Sequence, residues 1–324
     1  DYNITAIYAG NYAYNGNETT AKFSAAKVNS TIEIDALDII YVDTNGTIII
    51  TIENATGNVT VKIDGLNDTT LALNDSVAVL VLPVLAEGTY NITVVYEGDE
   101  TYLGSTVTDE FDVVKYIPEL DIDIDDVSVI ENATITVTVP NATGTVTVKV
   151  NSKEETADLV DGVAVIDLGL FDAGDYNVTV TYNGDDTFYG ISGNASFAVS
   201  KIDTELDVDV DAGEAFEDVI ITVEVDDYAT GNITVIIDGK EYSDVISDNV
   251  AEIIIPGLGA GDYAAEIVYK GNDKVNENST TVEFTIDKID EFDMEASENV
   301  SAVSAGTITV YLPVPATGNV TIYI

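Results

Sequence analysis

The sequence predicts an all-β chain of tandem β-sandwich repeats of about 87 residues. Three observations predict it: a fixed internal period, a period-two alternation of apolar and polar residues, and turn residues set between the alternating runs. The 324 residues are 46% hydrophobic, enough apolar surface to bury several small cores.

The period is carried by three separate markers. The segment Ala55 to Val61 (Ala-Thr-Gly-Asn-Val-Thr-Val) recurs as Ala142 to Val148, Ala229 to Val235 and Ala316 to Ile322, and its glycines Gly57, Gly144, Gly231 and Gly318 are each 87 residues apart. A stretch with tyrosine at both ends appears as Tyr2 to Tyr8, Tyr90 to Tyr96, Tyr176 to Tyr182 and Tyr263 to Tyr269. A closing Phe-x-x-x-Lys runs from Phe23 to Lys27, Phe111 to Lys115, Phe197 to Lys201 and Phe284 to Lys288. The phases divide the chain into 1-27, the C-terminal part of a repeat; three whole repeats at 28-115, 116-201 and 202-288; and 289-324, the N-terminal part of another. The two end pieces together lack the equivalent of Asp64 to Gly88, so the expectation is a fragment of a longer protein and not a subunit that completes its neighbour by strand exchange.

Repeat 116-201 shows the strands. Ile135, Val137 and Val139 alternate with Thr134, Thr136 and Thr138, and Val146, Val148 and Val150 alternate with Thr145, Thr147 and Lys149. Such alternation puts one side in a core and the other in water. Further strands are expected at Val163 to Leu168, Tyr176 to Tyr182 and Ser196 to Lys201. Turns are expected at Ala142-Thr143-Gly144, Asp161-Gly162, Ala173-Gly174-Asp175 and Asn183-Gly184-Asp185, residue types that tolerate positive φ. About seven short strands in about 87 residues point to immunoglobulin topology. Tyr176, just after Gly174-Asp175, stands where the tyrosine corner of such a sandwich lies, and Tyr2, Tyr90 and Tyr263 are its equivalents. Two residues on, where antibody domains place a cysteine, stand Ile4, Ile92, Val178 and Ala265; the chain has no Cys and no Trp, so packing replaces the disulfide.

Charge limits the partners. The net charge is −48, from 59 acidic residues against 11 basic ones, all of them Lys. A surface this negative repels phosphate backbones and anionic headgroups, which argues against nucleic acid and membrane surfaces and for an extended soluble rod. The longest apolar run, Val77 to Leu85, is interrupted by Pro83 and is about half the ~20 residues a bilayer span needs, so no membrane insertion is expected. Any targeting or anchoring segment is expected outside these residues.

Three residue sets could carry chemistry. Asn-x-Ser/Thr sequons, expected to be N-glycosylated at least in part, are Asn3, Asn17, Asn29, Asn45, Asn54, Asn58, Asn67, Asn74, Asn91, Asn132, Asn141, Asn177, Asn194, Asn232, Asn278, Asn299 and Asn319. Acidic rows, Asp121, Asp123, Asp125 and Asp126, then Asp207, Asp209 and Asp211, with Asp290, Glu291 and Asp293 similarly placed, offer oxygen ligands for a structural Ca²⁺ at a junction. A solvated strand face is the preferred reading of those rows, because Ca²⁺ needs six to eight converging oxygens. The lysines Lys27, Lys115, Lys201 and Lys288 close each unit; an ion pair at the junction is preferred there over an isopeptide crosslink to a nearby acid or amide. Catalysis has little material: His and Cys are absent and no Arg occurs, which removes the usual proton shuttle and thiol nucleophile. Carboxylate pairs alone could serve a glycosidase, yet short regular hairpins build no cleft. No phosphate loop or dinucleotide fingerprint is present. No enzyme activity and no cofactor beyond the Ca²⁺ reading are expected.

Taken together, Ala-Thr-Gly-Asn/Thr-Val-Thr-Val, Gly-Asp/Thr-Tyr-Asn-Val/Ile-Thr-Val, Tyr-x-Gly-Asp and Phe-x-Val-x-Lys resemble the prokaryotic Ig-like repeat of large adhesin-like surface proteins, of the kind found in methanogenic archaea. The resemblance covers the whole chain and implies extracellular display at the cell surface. It implies a stalk or spacer that presents a distal recognition domain, with neighbouring repeats as partners and a host or cell-surface ligand of unknown identity. The alternative expectation is a self-assembling filament or surface-layer component in which exposed edge strands of other copies pair. Adhesion itself comes only from the resemblance.

Overall fold

The computed structural model describes residues 1–36, 39–290, 293–296, 306–312 and 316–323. The fold is all-β, a series of antiparallel β-sandwiches, and among the described residues every named element is a strand. Contacts group the chain into two compact units: residues 1–124, 135–166 and 177–195 form one, and residues 125–134, 167–176 and 196–324 the other.

Residues 1–27 form a hairpin of β1 (Tyr2–Tyr8) and β2 (Asn17–Phe23), paired from Tyr2 opposite Phe23 to Tyr8 opposite Asn17 and exposed on both faces. Residues 28–115 contain β3 (Glu33–Ala36), β4 (Ile39–Tyr41), β5 (Thr47–Thr51), β6 (Asn58–Ile63), β7 (Thr69–Ala72), β8 (Val77–Val81), β9 (Gly88–Gly98) and β10 (Leu103–Val114). One sheet has the order β3-β5-β8 and the other β4-β10-β9-β6-β7. Alternate residues Ile48, Ile50, Val59, Val61, Ile92, Val94 and Tyr96 meet between them as one buried cluster.

The same arrangement follows in residues 116–201, with β11 (Asp121–Ile124), β12 (Val127–Ser128), β13 (Ala133–Thr138), β14 (Thr145–Val150), β15 (Lys153–Asp158), β16 (Val163–Gly169), β17 (Gly174–Tyr182) and β18 (Ile191–Ser200). Its sheets are ordered β11-β13-β16 and β12-β18-β17-β14-β15. Residues 202–288 hold β19 (Leu206–Asp211), β20 (Val219–Val225), β21 (Asn232–Ile237), β22 (Lys240–Val245), β23 (Val250–Ile255), β24 (Gly261–Tyr269) and β25 (Asn278–Ile286), in sheets β19-β20-β23 and β22-β21-β24-β25. A last pair, β26 (Asp293–Ala296) with β27 (Ile308–Tyr311), repeats the pairing of β3 with β5.

These residues make strands because β-branched Val, Ile and Thr suit a pleated surface with one face buried. Val146, Val148 and Val150 are each at most 1% exposed while Thr145 and Thr147 lie half-buried on the outer face. Two features depart from the alternation. The opening strand of a repeat crosses from one sheet to the other, so β4 lies parallel to β10, with Ile40 opposite Val113, and β12 parallel to β18, with Val127 opposite Val199. The second is β15, a polar edge strand with almost no buried face. The first raises the strand number of repeats 28–115 and 116–201 to eight against the expected seven, whereas 202–288, where Glu214 makes only an isolated parallel bridge with Asp287, has seven.

Candidate functional site

The chemistry of the sequence motifs converges at one end of each sandwich. Between the last two long strands lies the turn Tyr-x-Gly-Asp/Asn, at Gly98-Asp99, Gly184-Asp185 and Gly271-Asn272. Glycine is required there twice over. Gly98 has φ +90°, and a Cβ on it would lie 2.7 Å from the Tyr102 carbonyl oxygen.

The residue after the glycine folds its side chain back over the turn. Asp99 Oδ1 accepts from the N–H groups of Thr101 and Tyr102, each at 2.7 Å, and its Oδ2 accepts from the Thr56 N–H at 2.9 Å and the Thr56 hydroxyl at 3.0 Å. Asp185 repeats the set with Thr187 and Phe188 at 2.8 and 2.7 Å and with the N–H and hydroxyl of Thr143 at 2.8 and 2.9 Å. In the third repeat Asn272 takes the place. Its Oδ1 accepts from Lys274 and Val275 at 2.7 Å, while its Nδ2 donates to the Tyr228 carbonyl at 2.7 Å and to Thr230 Oγ1 at 2.9 Å. Thr56, Thr143 and Thr230 are the threonines of the Ala-Thr-Gly motif, so the tie joins two of the sequence markers.

Four donors stabilise the carboxylate. The Thr56 N–H, followed by that of Tyr102, holds Asp99 well below the ordinary carboxylate range. For Asp185, burial opposes ionisation, but the N–H groups of Thr143, Phe188 and Thr187 outweigh it and bring the pKa to about 2. Beneath the tie stands a buried tyrosine. The Tyr96 hydroxyl donates to the Thr56 carbonyl at 3.0 Å, and burial, with the Asp99 carboxylate second, pushes its pKa up to about 12. Tyr269 donates to the Thr230 carbonyl at 3.1 Å. The buried Tyr182 hydroxyl has no hydrogen-bond partner among the described residues; burial raises its pKa, and the nearby Asp185 charge adds to the rise.

The main-chain carbonyl of this same turn residue receives the lysine that closes the preceding repeat. Lys27 Nζ donates to the Asp99 carbonyl, Lys115 Nζ to the Asp185 carbonyl at 2.6 Å and Lys201 Nζ to the Asn272 carbonyl at 2.5 Å. This differs from the ion pair expected at the junctions. Among the described residues only Lys115 of the closing lysines also meets a carboxylate, Glu87 at 3.8 Å. The reason is that both carboxylate oxygens of Asp99 and Asp185 are turned inward and occupied by four donors, so the main-chain oxygen is what the turn offers outward. The hydrogen-bond acceptor at each of these three lysines is a main-chain carbonyl. Lys288 is exposed.

The residues flanking the lysine are bonded on both sides. Val28 donates its N–H to the Thr101 carbonyl at 3.0 Å and accepts from Leu103 at 2.8 Å; Tyr116 does the same with Thr187 and Tyr189, both at 2.9 Å; Ile202 does so with Lys274 at 2.9 Å and Asn276 at 2.8 Å. On the other side the Val114 carbonyl accepts from Val42 at 3.1 Å, and the Ser200 carbonyl from Val129 at 2.9 Å. At 115 and 201 one lysine is therefore all that separates main-chain bonds within one repeat from main-chain bonds within the next.

The other sequence-derived sites fall as follows. Tyr90, Tyr176 and Tyr263 donate their hydroxyls to the carbonyls of Ala86, Asp172 and Gly259, four residues upstream, at 3.1, 2.9 and 3.0 Å. Each stacks on the closing phenylalanine, Phe111, Phe197 or Phe284, with centroids 5.5, 5.3 and 5.7 Å apart, as Tyr2 does on Phe23 at 5.3 Å. Asn299 and Glu291 lie outside the described residues; the other sixteen sequon asparagines are all exposed. Five of these use their side chains in hydrogen bonds among the described residues: the amides of Asn91, Asn132 and Asn278 donate to Asp64, Asp167 and the Thr204 carbonyl, Asn194 accepts from Thr179, and Asn17 accepts from the Glu18 N–H. The carboxylates of Asp121, Asp123, Asp207, Asp209 and Asp211 line the outer face of β11 and β19 at alternate positions. Asp125 and Asp126 follow β11, and Asp126 accepts from the Ala198 N–H at 2.7 Å. Among the described residues no group of three or more acidic side chains is arranged to hold a metal ion, since alternate positions on one strand spread carboxylates along a line.

Sequence reasoning missed the tie itself. Thr143 and Asp185 stand in the expected turns, and Thr56, Thr230 and Asp99 in the repeat markers, while Asn272 departs from the Tyr-x-Gly-Asp pattern.

No known family profile matches the chain, and no curated protein sequence matches it. Among solved structures it is similar to the FN1-FN3 domains of chicken CNTN1, at 12% identity and a TM-score of 0.23 over 81% of this chain and 100% of that one. It is also similar to the fibronectin(III)-like modules of Clostridium thermocellum CbhA, at 14% identity and a TM-score of 0.24 over 52% and 95%. Part of Escherichia coli alpha-2-macroglobulin resembles it at 8% identity and a TM-score of 0.30, over 89% of this chain and 26% of that one.

Proposed function

We propose that the chain is a structural stalk segment of a large adhesin-like protein displayed outside the cell, a non-enzymatic spacer that holds a recognition domain away from the envelope. The observation that carries this reading is the lysine bond across the joint, repeated at residues 27, 115 and 201, with main-chain bonds on both sides of it at 115 and 201. A spacer must carry position from one module to the next, and single-residue connections limit the slack at each joint, whereas a long flexible tether would not. Two further features support it. Sixteen exposed sequons suit a secreted, glycosylated chain. A charge of −48 disfavours aggregation of neighbouring copies.

A second reading, lateral assembly into a filament or surface layer, draws on β8, an edge strand whose outward Val79 and Val81 are 52% and 62% exposed. Negative-stain electron microscopy of the purified chain separates the two. Discrete single molecules at micromolar concentration support the stalk, and regular filaments or sheets overturn it.

A further inference from the structure

The joints share one design but differ in what surrounds it. At 115/116 the Tyr116 ring stacks on Tyr41 of the preceding repeat, with centroids 4.2 Å apart and an interplanar angle of 7°. Its hydroxyl donates to Asp43 at 3.0 Å, and its ring also meets Phe188, tilted by 48° with centroids 6.0 Å apart. Lys115, mostly buried, adds the ion pair with Glu87. The Glu87 carboxylate also faces Tyr189 of the following repeat and is the main cause of that hydroxyl's raised pKa. Two loops of repeat 28–115 are thus fastened to two loops of repeat 116–201 by side chains as well as by the lysine.

At 201/202 each of these partners is replaced. The main-chain bonds of Val42 to Val114 and of Val129 to Ser200 fix the register, so that Ser128 stands in place of Tyr41 and Ile130 in place of Asp43. Ala173, before the glycine that opens β17, stands for Glu87; Ile202 stands for Tyr116, Asn276 for Tyr189 and Asn272 for Asp185. Among the described residues, the lysine bond from Lys201 and the pair of main-chain bonds at Ile202 remain there. Bending at 115/116 must separate an aromatic stack, a charge-assisted hydrogen bond and an ion pair; bending at 201/202 does not.

We infer that the chain contains one matched, stiff joint at 115/116 and one compliant joint at 201/202, so that flexing is confined to a chosen place in the series. This holds whether or not the chain serves as a stalk. The absence of cysteine in the sequence makes the test direct. Glu110, Ser196 and Glu283 are equivalent exposed positions, each preceding the closing phenylalanine. Spin labels are placed on Glu110→Cys with Ser196→Cys, and separately on Ser196→Cys with Glu283→Cys, in the full chain, and distance distributions are measured by double electron–electron resonance. The distribution across 115/116 is expected to be about twofold narrower than that across 201/202. Tyr116→Ile, which installs the residue found at position 202, is expected to widen the first to match the second. Tyr41→Ser, at an exposed partner, checks the same stack without touching the strapped residue. Equal widths in the parent chain, or a first width unmoved by both substitutions, would overturn the inference.

Discussion

Asp185 shows how much one side chain contributes when every lone pair is directed. Its carboxylate joins the Thr143 turn to the Thr187-Phe188 turn through four hydrogen bonds. Charge-assisted bonds of this kind are worth more than neutral ones, so Asp185→Ala is expected to cost the repeat about 3 kcal/mol, read from chemical denaturation. The pH dependence follows from the direction of its shift. The folded pKa, about 2, lies below the ordinary 3.8, so the carboxylate's contribution is fully present above about pH 4 and is lost as pH falls through about 2. The carboxyl carbon resonance of Asp185 should titrate with a midpoint near 2, and a midpoint near 3.8 would show that the four bonds are not formed in solution. Asn272, in the same position of the third repeat, has no proton to take up, so that tie is expected to survive acid unchanged. The tyrosine corner was legible in the sequence because a fixed offset from Gly-Asp marks it. The carboxylate tie was not, because Tyr-x-Gly-Asp satisfies the demands of a turn by itself and nothing local reveals that its partner is Thr56, 43 residues earlier.

At the level of elements, the strands that bury one face were readable and those that do not were hidden. β13, β14, β16 and β17 fall on the alternating runs at Ile135, Val146, Val163 and Tyr176. β15 escaped, since Lys153-Glu154-Glu155-Thr156 is polar at every position and owes its conformation to pairing with β14, Lys149 opposite Glu154. The sheet crossing that creates β4 and β12 also escaped, because a strand of two or three residues has too little alternation to signal itself. Two substitutions test the packing. Tyr176→Phe removes the bond to the Asp172 carbonyl but keeps the stack on Phe197, and is expected to cost about 1 kcal/mol. Val148→Ala, at a position 1% exposed between β17 and β15, is expected to cost about 2 kcal/mol, since the cavity cannot collapse between two hydrogen-bonded neighbours. Circular dichroism during denaturation measures both.

For the whole molecule, the 87-residue period was plain from glycine spacing alone, while the joint was only half visible. The lysines mark the boundaries in the sequence, where the preferred expectation is an ion pair at each junction. The structure gives Lys27, Lys115 and Lys201 main-chain oxygens, with a carboxylate added, among the described residues, only at Lys115. The charge of −48 has its own consequence: raising ionic strength from about 10 mM to about 150 mM shortens the Debye length from about 30 Å to about 8 Å, and the melting temperature is expected to rise accordingly. The account as a whole rests on complete sandwiches joined in series by single-residue joints. Pulling the full chain by its ends in a single-molecule force experiment tests this most directly. An 87-residue repeat extends to about 300 Å, so the account predicts three successive force peaks, each releasing nearly that length. One featureless extension, or a single peak releasing the whole chain at once, would contradict it.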